Sequence, residues 1–191
     1  MSLNRYTSQN DLLLQNLEKF YKNTDHLTYM IGIINGESKI SLRIVDWFVT
    51  NYAKKHFVVY NVTDELGNSN RFKVYNDYKL KLKSYSKRRF DPFCRWERIQ
   101  FPYLENNYVE TTIGQLNFFK WSIENDILKY IEQNYDDIEN DMNLRNVSAK
   151  NSIEKISSLD ATKTRKKREE LSISATKCIK KESVKIVVKF N

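Results

Sequence analysis

One long amphipathic run in the second half of the sequence constrains the fold most. Between residues 112 and 134, apolar side chains recur every three or four residues, which is the spacing of one face of an α-helix. They are Ile113, Leu116, Phe119, Ile123, Ile127, Tyr130 and Ile131. The hydroxyl of Thr111 or Thr112 can cap its first turn. The pattern predicts a helix over residues 112–134, the longest of the chain.

Three shorter segments also show helical spacing, over residues 9–22, from Ser38 or Ser41 to about residue 54, and over about residues 75–89. The last of these should end near Phe90, because the residue before a proline avoids α geometry and Asp91 precedes Pro92. Residues 27–34 favour a strand, and Asn35-Gly36 favours a turn after it.

Strand patterns occupy residues 57–62 and 71–75, which predict a hairpin, and residues 96–101. The predicted fold is therefore α+β: about four helices packed on a small antiparallel sheet, with a flexible basic C-terminal tail. We expect a compact domain over residues 1–144 and a basic linker poor in aromatic residues over 145–183. A C-terminal strand over 184–190 is expected to dock on the body or on a partner.

The positive charge is concentrated in two segments. Residues 71–98 hold ten Lys and Arg against three Asp and Glu, and residues 145–191 hold thirteen against five. The remainder holds nine against sixteen, although the whole chain has a net charge of +8. Because concentrated charge of one sign attracts polyanions, this distribution predicts binding of nucleic acid, DNA or RNA.

The candidate nucleic-acid-binding residues lie in those two segments. They are Lys79, Lys83, Lys87, Arg88, Arg89, Arg95 and Arg98 in the centre, and Lys163, Arg165, Lys166, Lys167 and Arg168 in the tail. Tyr85, Phe90, Phe93 and Trp96 lie among the central cations and would offer flat surfaces to bases. The interpretation we favour for these four aromatic residues is that they belong to the core, because they continue a helical apolar stripe.

Motifs of enzymes are scarce. The sequence has no phosphate-binding glycine loop, no H-E-x-x-H and no G-x-S-x-G. Glu37-Ser-Lys39, with Asp25 or Asp46, imitates a metal-dependent nuclease site, but one such pattern is expected by chance in a chain rich in Lys and Glu. We therefore expect no enzyme activity, no cofactor and no metal, and either local packing or exposure for the two histidines.

The two cysteines, Cys94 and Cys178, are expected to be thiols in a reducing compartment, with Cys94 buried. No apolar run approaches the roughly 20 residues that span a bilayer. The first residues lack a charged and then apolar signal region, so we expect neither a membrane span nor export.

Four stretches of the sequence resemble a family of small proteins of large nucleocytoplasmic DNA viruses, the mimivirus and algal-virus groups. These stretches are residues 41–52, 85–95, 110–121 and 174–180. The family has no assigned enzyme activity, so the resemblance supplies no functional residue. It implies a place in the host-cell cytoplasm, the virus factory or the virion.

The sequence and the resemblance together predict a non-enzymatic, largely sequence-independent nucleic-acid-binding accessory protein of a large DNA virus. The alternative is a virion structural or scaffolding protein that binds another viral protein through its basic surfaces and its C-terminal strand.

Overall fold

The computed structural model describes residues 8–63, 67–103, 107–156 and 181–183, and their side chains through residue 146. The chain is α+β, as the sequence predicts. The helices are α1 Gln9–Phe20, α2 Thr24–Asn35, α3 Leu42–Trp47, a π-helical turn Phe48–Tyr52, α4 Ala53–Lys55, α5 Val74–Arg89, α6 Ile113–Glu124, α7 Ile127–Gln133 and α8 Tyr135–Ile156. The strands are β1 Val59–Thr63, β2 Ser69–Lys73, β3 Arg98–Tyr103, β4 Asn107–Thr112 and β5 Lys181–Ser183.

The helices outnumber the four or so expected, partly because the run over residues 112–134 is not one helix. Thr112 caps it as predicted, accepting a hydrogen bond from the Gln115 N–H at 3.1 Å. The helix stops at Asn125, and Asp126 has a left-handed φ of 53° before α7 begins. The longest described helix is instead α8, with 22 residues.

Helix α2 corrects the strand expected over residues 27–34. The Asn23 side chain caps the helix start by accepting from the Asp25 N–H, and Gly36 ends it with a left-handed φ of 74°. The predicted turn residue Gly36 is thus a helix C-cap. Because Leu27, Met30 and Ile31 pack into the core, burial outweighs the strand preference of the β-branched residues.

The helix predicted from Ser41 is confirmed, with a distortion in its second half. The Ser41 hydroxyl accepts from the Ile44 N–H, and helical geometry continues from α3 through the π turn to α4. Inside the π turn, the Thr50 hydroxyl donates to the Asp46 carbonyl at 2.6 Å. Such bonds to the preceding turn often bend helices.

The described strands form two small antiparallel sheets in place of the single one expected. The predicted hairpin is β1 with β2, in which Val59 pairs with Lys73. The strand expected over residues 96–101 is β3, which pairs with β4 so that Arg98 lies opposite Thr112. Strand β4 was missed. Pro102 lies inside β3, where the edge position of that strand tolerates it.

Strand β5 adds to the free side of β4, with Lys181 opposite Val109 and Ser183 opposite Asn107. It lies at the end of the segment expected to be a linker, and the strand expected over residues 184–190 lies outside the described residues. No helix in the described part of the chain is both long and apolar enough to cross a membrane.

Helix α6 lies at the centre of the core. Leu116, Phe118 and Phe119 are fully buried, and α1, α2, α5 and α7 all contact this helix. Helix α8 packs on α3. There the Asp141 carboxylate accepts a hydrogen bond from the Trp47 indole at 3.1 Å and pairs with Lys55.

Candidate functional site

Helix α5 divides its side chains between the core and the solvent. Val74 and Tyr78 are buried, whereas Lys79 and Lys83 are exposed one helical turn apart. Within the described residues, neither lysine is paired with a carboxylate. Leu80 lies beside them with 62% of its surface exposed. These three residues line an open depression of about 580 Å³ together with Asn76 and Leu82.

A second depression adjoins the first, because Asn76 lines both. It has a volume of about 400 Å³, and its cationic residues are Lys54 and Lys73. The Lys54 ammonium lies 5.7 Å from the centre of the Tyr75 ring, within the range of a cation–π contact. We call the surface formed by Lys54, Phe57, Lys73, Lys79, Leu80 and Lys83 the basic strip.

Phe57 is the aromatic residue of the basic strip, and 85% of its surface is open to solvent. Its φ of 50° lies in the left-handed region. It follows the end of α4, where the Val58 N–H donates to the Ala53 carbonyl. Glycine is the usual residue at such a position, since a side chain there is strained. A strained backbone that holds an aromatic ring in water suggests a binding role.

A third depression follows along α5, because Leu82 lines both it and the first. This cavity has a volume of about 430 Å³. Its polar lining comes from Asp46, Thr50 and Lys87, and from the Asp91 and Arg95 pair. Lys87 reaches it because α5 is broken at Ser86, which has a φ of 60°. The break turns Lys87 away from the helical register of Lys79 and Lys83.

The two carboxylates of this cavity differ in their bonding. Asp91 accepts from the Phe93 N–H and from two nitrogens of the Arg95 guanidinium, each at 3.1 Å. The carboxylate of Asp46 has no hydrogen-bond donor among the described residues. Burial raises the pKa of Asp46 to about 6, and the neighbouring Asp91 adds to the rise, while Arg95 and Lys87 oppose it. Burial also raises the pKa of Asp91, against the effect of its donors.

The loop that carries Asp91 is held by hydrogen bonds to the first turns of α6. The Asp91 N–H donates to the Gly114 carbonyl at 3.2 Å, and the Gln115 amide donates to the Pro92 carbonyl at 2.9 Å. The Asn117 amide donates to the Arg89 carbonyl at 2.8 Å. Gly114 permits this approach, since a Cβ atom there would lie 3.0 Å from the Arg88 carbonyl oxygen.

The remaining central cations from the predicted set lie apart from the basic strip. Arg88 and Arg89 line a depression of about 250 Å³ beside Trp96, which is 43% exposed. Arg89 donates to the side chains of Gln9 and Asn10. Arg98 pairs with Glu110 across β3 and β4. The predicted residues Lys163, Arg165, Lys166, Lys167 and Arg168 lie outside the described residues.

The core interpretation of the four aromatic residues holds for three of them. Phe90 and Phe93 are buried and Tyr85 is packed against the core. The prediction is wrong for Trp96, because the helical stripe it was thought to continue ends at the Asp91-Pro92 loop. Cys94 is buried, as expected.

The sequence analysis did not predict that Phe57, Lys54 and Lys73 share one surface. It also did not predict that Asp46 lies beside Asp91. The hairpin pattern over residues 57–75 could have brought the first three together, because it predicts that Val59 lies near Lys73. In the nuclease-like pattern, Asp46 was grouped with Glu37 and Lys39. The cavity that Asp46 lines includes neither of these residues, and Lys39 instead lies over the Tyr135 ring.

The described part of the chain shows no group of three or more His, Cys, Asp or Glu side chains that could hold a metal ion. His26 stacks on Phe20 and His56 on Tyr52. The described part of the chain is thus an α+β fold with two small sheets and a basic strip to which α4, β2 and α5 contribute.

The chain belongs to a family of unknown function (DUF7197), which matches residues 3–191. It is 43% identical over 145 residues to the uncharacterized protein L507 of Acanthamoeba polyphaga mimivirus, a match that covers 72% of this chain and 55% of that protein. The chain therefore spans about half the length of this relative. No solved structure gives a significant match. The resemblance to a protein family of large DNA viruses is confirmed.

Proposed function

We propose that the protein is a non-enzymatic nucleic-acid-binding accessory protein of a large DNA virus, acting in the host-cell cytoplasm, the virus factory or the virion. The observation that supports this most is the basic strip. It combines four lysines with an exposed leucine and an exposed, strained phenylalanine along two adjoining depressions.

The lysines supply the electrostatic part of the binding. Each lysine that neutralises a phosphate releases a counterion, so that affinity falls with salt. Lys79 and Lys83 are suited to this, because their charges are exposed and are not neutralised by a described carboxylate. The binding is largely independent of base sequence, since phosphates are the same along every strand.

Phe57 and Leu80 favour a single strand over a duplex. Bases of a single strand can stack on an exposed aromatic ring, whereas those of a duplex are already stacked on each other. Phe57 offers such a ring between Lys54 and Lys73, which line the same depression. The single-stranded form of DNA or RNA is therefore the proposed ligand.

The test is fluorescence anisotropy of a labelled single strand and a labelled duplex, titrated with the full chain across a salt series. We expect the variant Lys79→Glu/Lys83→Glu to lose at least tenfold in affinity for the single strand at low salt. Its plot of log affinity against log salt should flatten by about 1.4, which is the value for two lost phosphate contacts.

The matched control is Lys19→Glu/Lys22→Glu, which makes the same change in net charge at two exposed lysines that line none of the three depressions. It should lose less than threefold. Equal losses in both variants would mean that only net charge matters, and no binding of the intact chain at low salt would overturn the proposal.

The tail is tested by substitution of Lys166, Lys167 and Arg168 with Gln. Truncation is unsuitable, because strand β5 follows the tail cluster in the sequence and pairs with β4. A loss confined to this variant would assign the binding to the tail and remove it from the basic strip.

A second candidate function is a virion structural or scaffolding role, in which the exposed Leu80 and Phe57 contact another viral protein. Its support is the apolar part of the same surface. It predicts that Leu80→Ser and Phe57→Ser abolish capture of a viral protein while Lys79→Glu/Lys83→Glu retains it, whereas nucleic-acid binding should be weakened in the lysine variant.

A further inference from the structure

The cavity beyond Leu82 lies where a strand on the basic strip would continue. Leu82 lines the cavity and the adjoining depression, and Asn76 joins that depression to the one at Phe57. The three depressions thus follow one another along α5, over about 9 Å between Asn76 and Leu82 at 1.5 Å per helical residue. A ligand that follows the lysines arrives at the mouth of the cavity.

Of the two carboxylates that line the cavity, one can accept a hydrogen bond from a ligand. Asp91 has its carboxylate oxygens taken by the Phe93 N–H and Arg95. Asp46 lines the cavity half-buried, and its carboxylate has no hydrogen-bond donor among the described residues. A half-buried carboxylate has lost part of its hydration and gains from a charge-assisted hydrogen bond, so that of Asp46 should favour a ligand that brings an N–H donor.

The other groups of the cavity restrict the ligand further. Buried Phe90 and Phe93 and the buried ring of Tyr78 form much of its wall, which suits a flat, largely apolar group. The exposed Lys87 and Arg95 also line it, which suits an attached anion. Its volume of about 430 Å³ lies within the range of small-ligand sites.

A flat heterocycle with an exocyclic amino group and an attached phosphate is a nucleotide with an amino-bearing base. We propose that this cavity binds one unstacked nucleotide of a single strand, with the Asp46 carboxylate accepting from the exocyclic amino group and Lys87 beside the phosphate. Carboxylates accept from the cytosine amino group in the same way when proteins read bases. This inference rests on the proposed function, because the basic strip must first hold the strand.

The experiment compares oligo(dC) with oligo(dU) of equal length, since cytosine has an amino group at position 4 where uracil has a carbonyl oxygen. Anisotropy titrations of the full chain at pH 7.5 should give about tenfold tighter binding of oligo(dC). In Asp46→Asn the preference should fall below twofold through a loss of affinity for oligo(dC), because a neutral carboxamide oxygen accepts from the cytosine amino group more weakly than a carboxylate does. Affinity for oligo(dU) should stay within about twofold of the wild-type value.

The matched variant is Lys79→Glu/Lys83→Glu, which should weaken both oligonucleotides equally and keep the ratio near ten. Equal binding of oligo(dC) and oligo(dU) by the wild type, or a ratio that persists in Asp46→Asn, overturns the inference and leaves the proposed function standing. No binding of either oligonucleotide at low salt overturns the proposed function itself.

A free nucleotide is the other source of the same chemistry. Isothermal titration calorimetry with dCMP and dUMP distinguishes a free nucleotide from a nucleotide of a bound strand. Binding of dCMP that depends on Asp46, without any preference for oligo(dC) over oligo(dU), would overturn the strand-bound form of the inference. A thermal melt of Asp46→Asn that matches or exceeds the wild-type melt confirms that the variant is folded.

Discussion

The Asp91 loop and the basic strip are neighbours along the chain, yet they are built in opposite ways. In the loop, the carbonyls of Arg89 and Pro92 accept from Asn117 and Gln115 of α6. The Asp91 carboxylate is bound by Arg95. In the basic strip, Lys79 and Lys83 are exposed and have no described carboxylate partner, and Leu80 is exposed between them.

This difference separates stability from binding. A buried group that loses its partner costs free energy of folding, whereas an exposed lysine contributes little to it. Changes in the loop should therefore lower the free energy of unfolding, and changes in the basic strip should alter affinity while the fold remains stable. A basic-strip variant that lowers the free energy of unfolding, or a loop variant that leaves it unchanged, would contradict this division.

The largest expected effect is that of Gly114→Ala. The added Cβ would lie 3.0 Å from the Arg88 carbonyl oxygen and 3.3 Å from the Phe90 nitrogen. Since both are backbone atoms, the loop must shift, and we expect the free energy of unfolding to fall by about 2–3 kcal/mol. Urea denaturation followed by circular dichroism measures it.

Gly32→Ala is the matched control for Gly114→Ala. A Cβ at Gly32, inside α2, would meet nothing within 4 Å. Alanine favours helix over glycine by up to about 1 kcal/mol, so this variant should be slightly more stable than the wild type. Equal destabilisation by both changes would contradict the close contact of Gly114 with the loop.

The second effect concerns Asp46, which lies between the two regions. Burial first and Asp91 second raise its pKa from 3.8 to about 6, so the folded chain binds this proton more tightly than the unfolded chain. Stability from this group is thus present at acid pH and lost as the pH rises from about 4 to about 6. At pH 7, Asp46→Asn should be more stable than the wild type by on the order of 2 kcal/mol.

Urea denaturation of both proteins at pH 4, 5, 6 and 7 tests the Asp46 prediction. Asp91, Arg95 and Lys87 face Asp46 in both proteins, so the difference between wild type and variant isolates Asp46 itself. The difference should vanish near pH 4. A difference that is constant across the series would mean that Asp46 does not titrate in this range.

The smallest expected effect on stability is at Phe57, in the basic strip. Glycine is relaxed at the left-handed φ of 50°, so Phe57→Gly should raise the free energy of unfolding by about 1 kcal/mol. The same change removes the exposed ring, and affinity for a single strand should fall about fivefold or more. Denaturation and anisotropy on one protein preparation measure both. A variant that gains stability and keeps full affinity would remove Phe57 from the binding surface.

The sequence predicts the helix ends that neighbouring residues determine, namely the caps and the stop before a proline. Ser41 and Thr112 cap helices as expected, and α5 ends before Asp91-Pro92. The strand expected over residues 27–34 is wrong because the core buries Leu27, Met30 and Ile31 in a helix. No Gly or Pro near Asp126 signals the helix break there, so the apolar pattern over residues 112–134 looks continuous.

The candidate site was predictable only in its charges. The lysines of α5 are visible as a concentration of positive charge. Which of the central cations pair with other side chains depends, however, on partners that are distant in sequence. Arg89 contacts Gln9 and Asn10, and the cavity brings Asp46 to Asp91. A local pattern contains neither relation. Phe57 looks like an ordinary strand residue, because its left-handed φ follows from the end of α4 and not from its own identity.

The pairing of β5 with β4 has a consequence for the basic tail cluster. In the sequence, helix α8 precedes the residues that contain Lys163 and Arg168, and strand β5 follows them. In the proposed function, a nucleic-acid strand held by the basic strip would therefore encounter these cations as part of the same molecule, at an effective concentration that the length of chain sets.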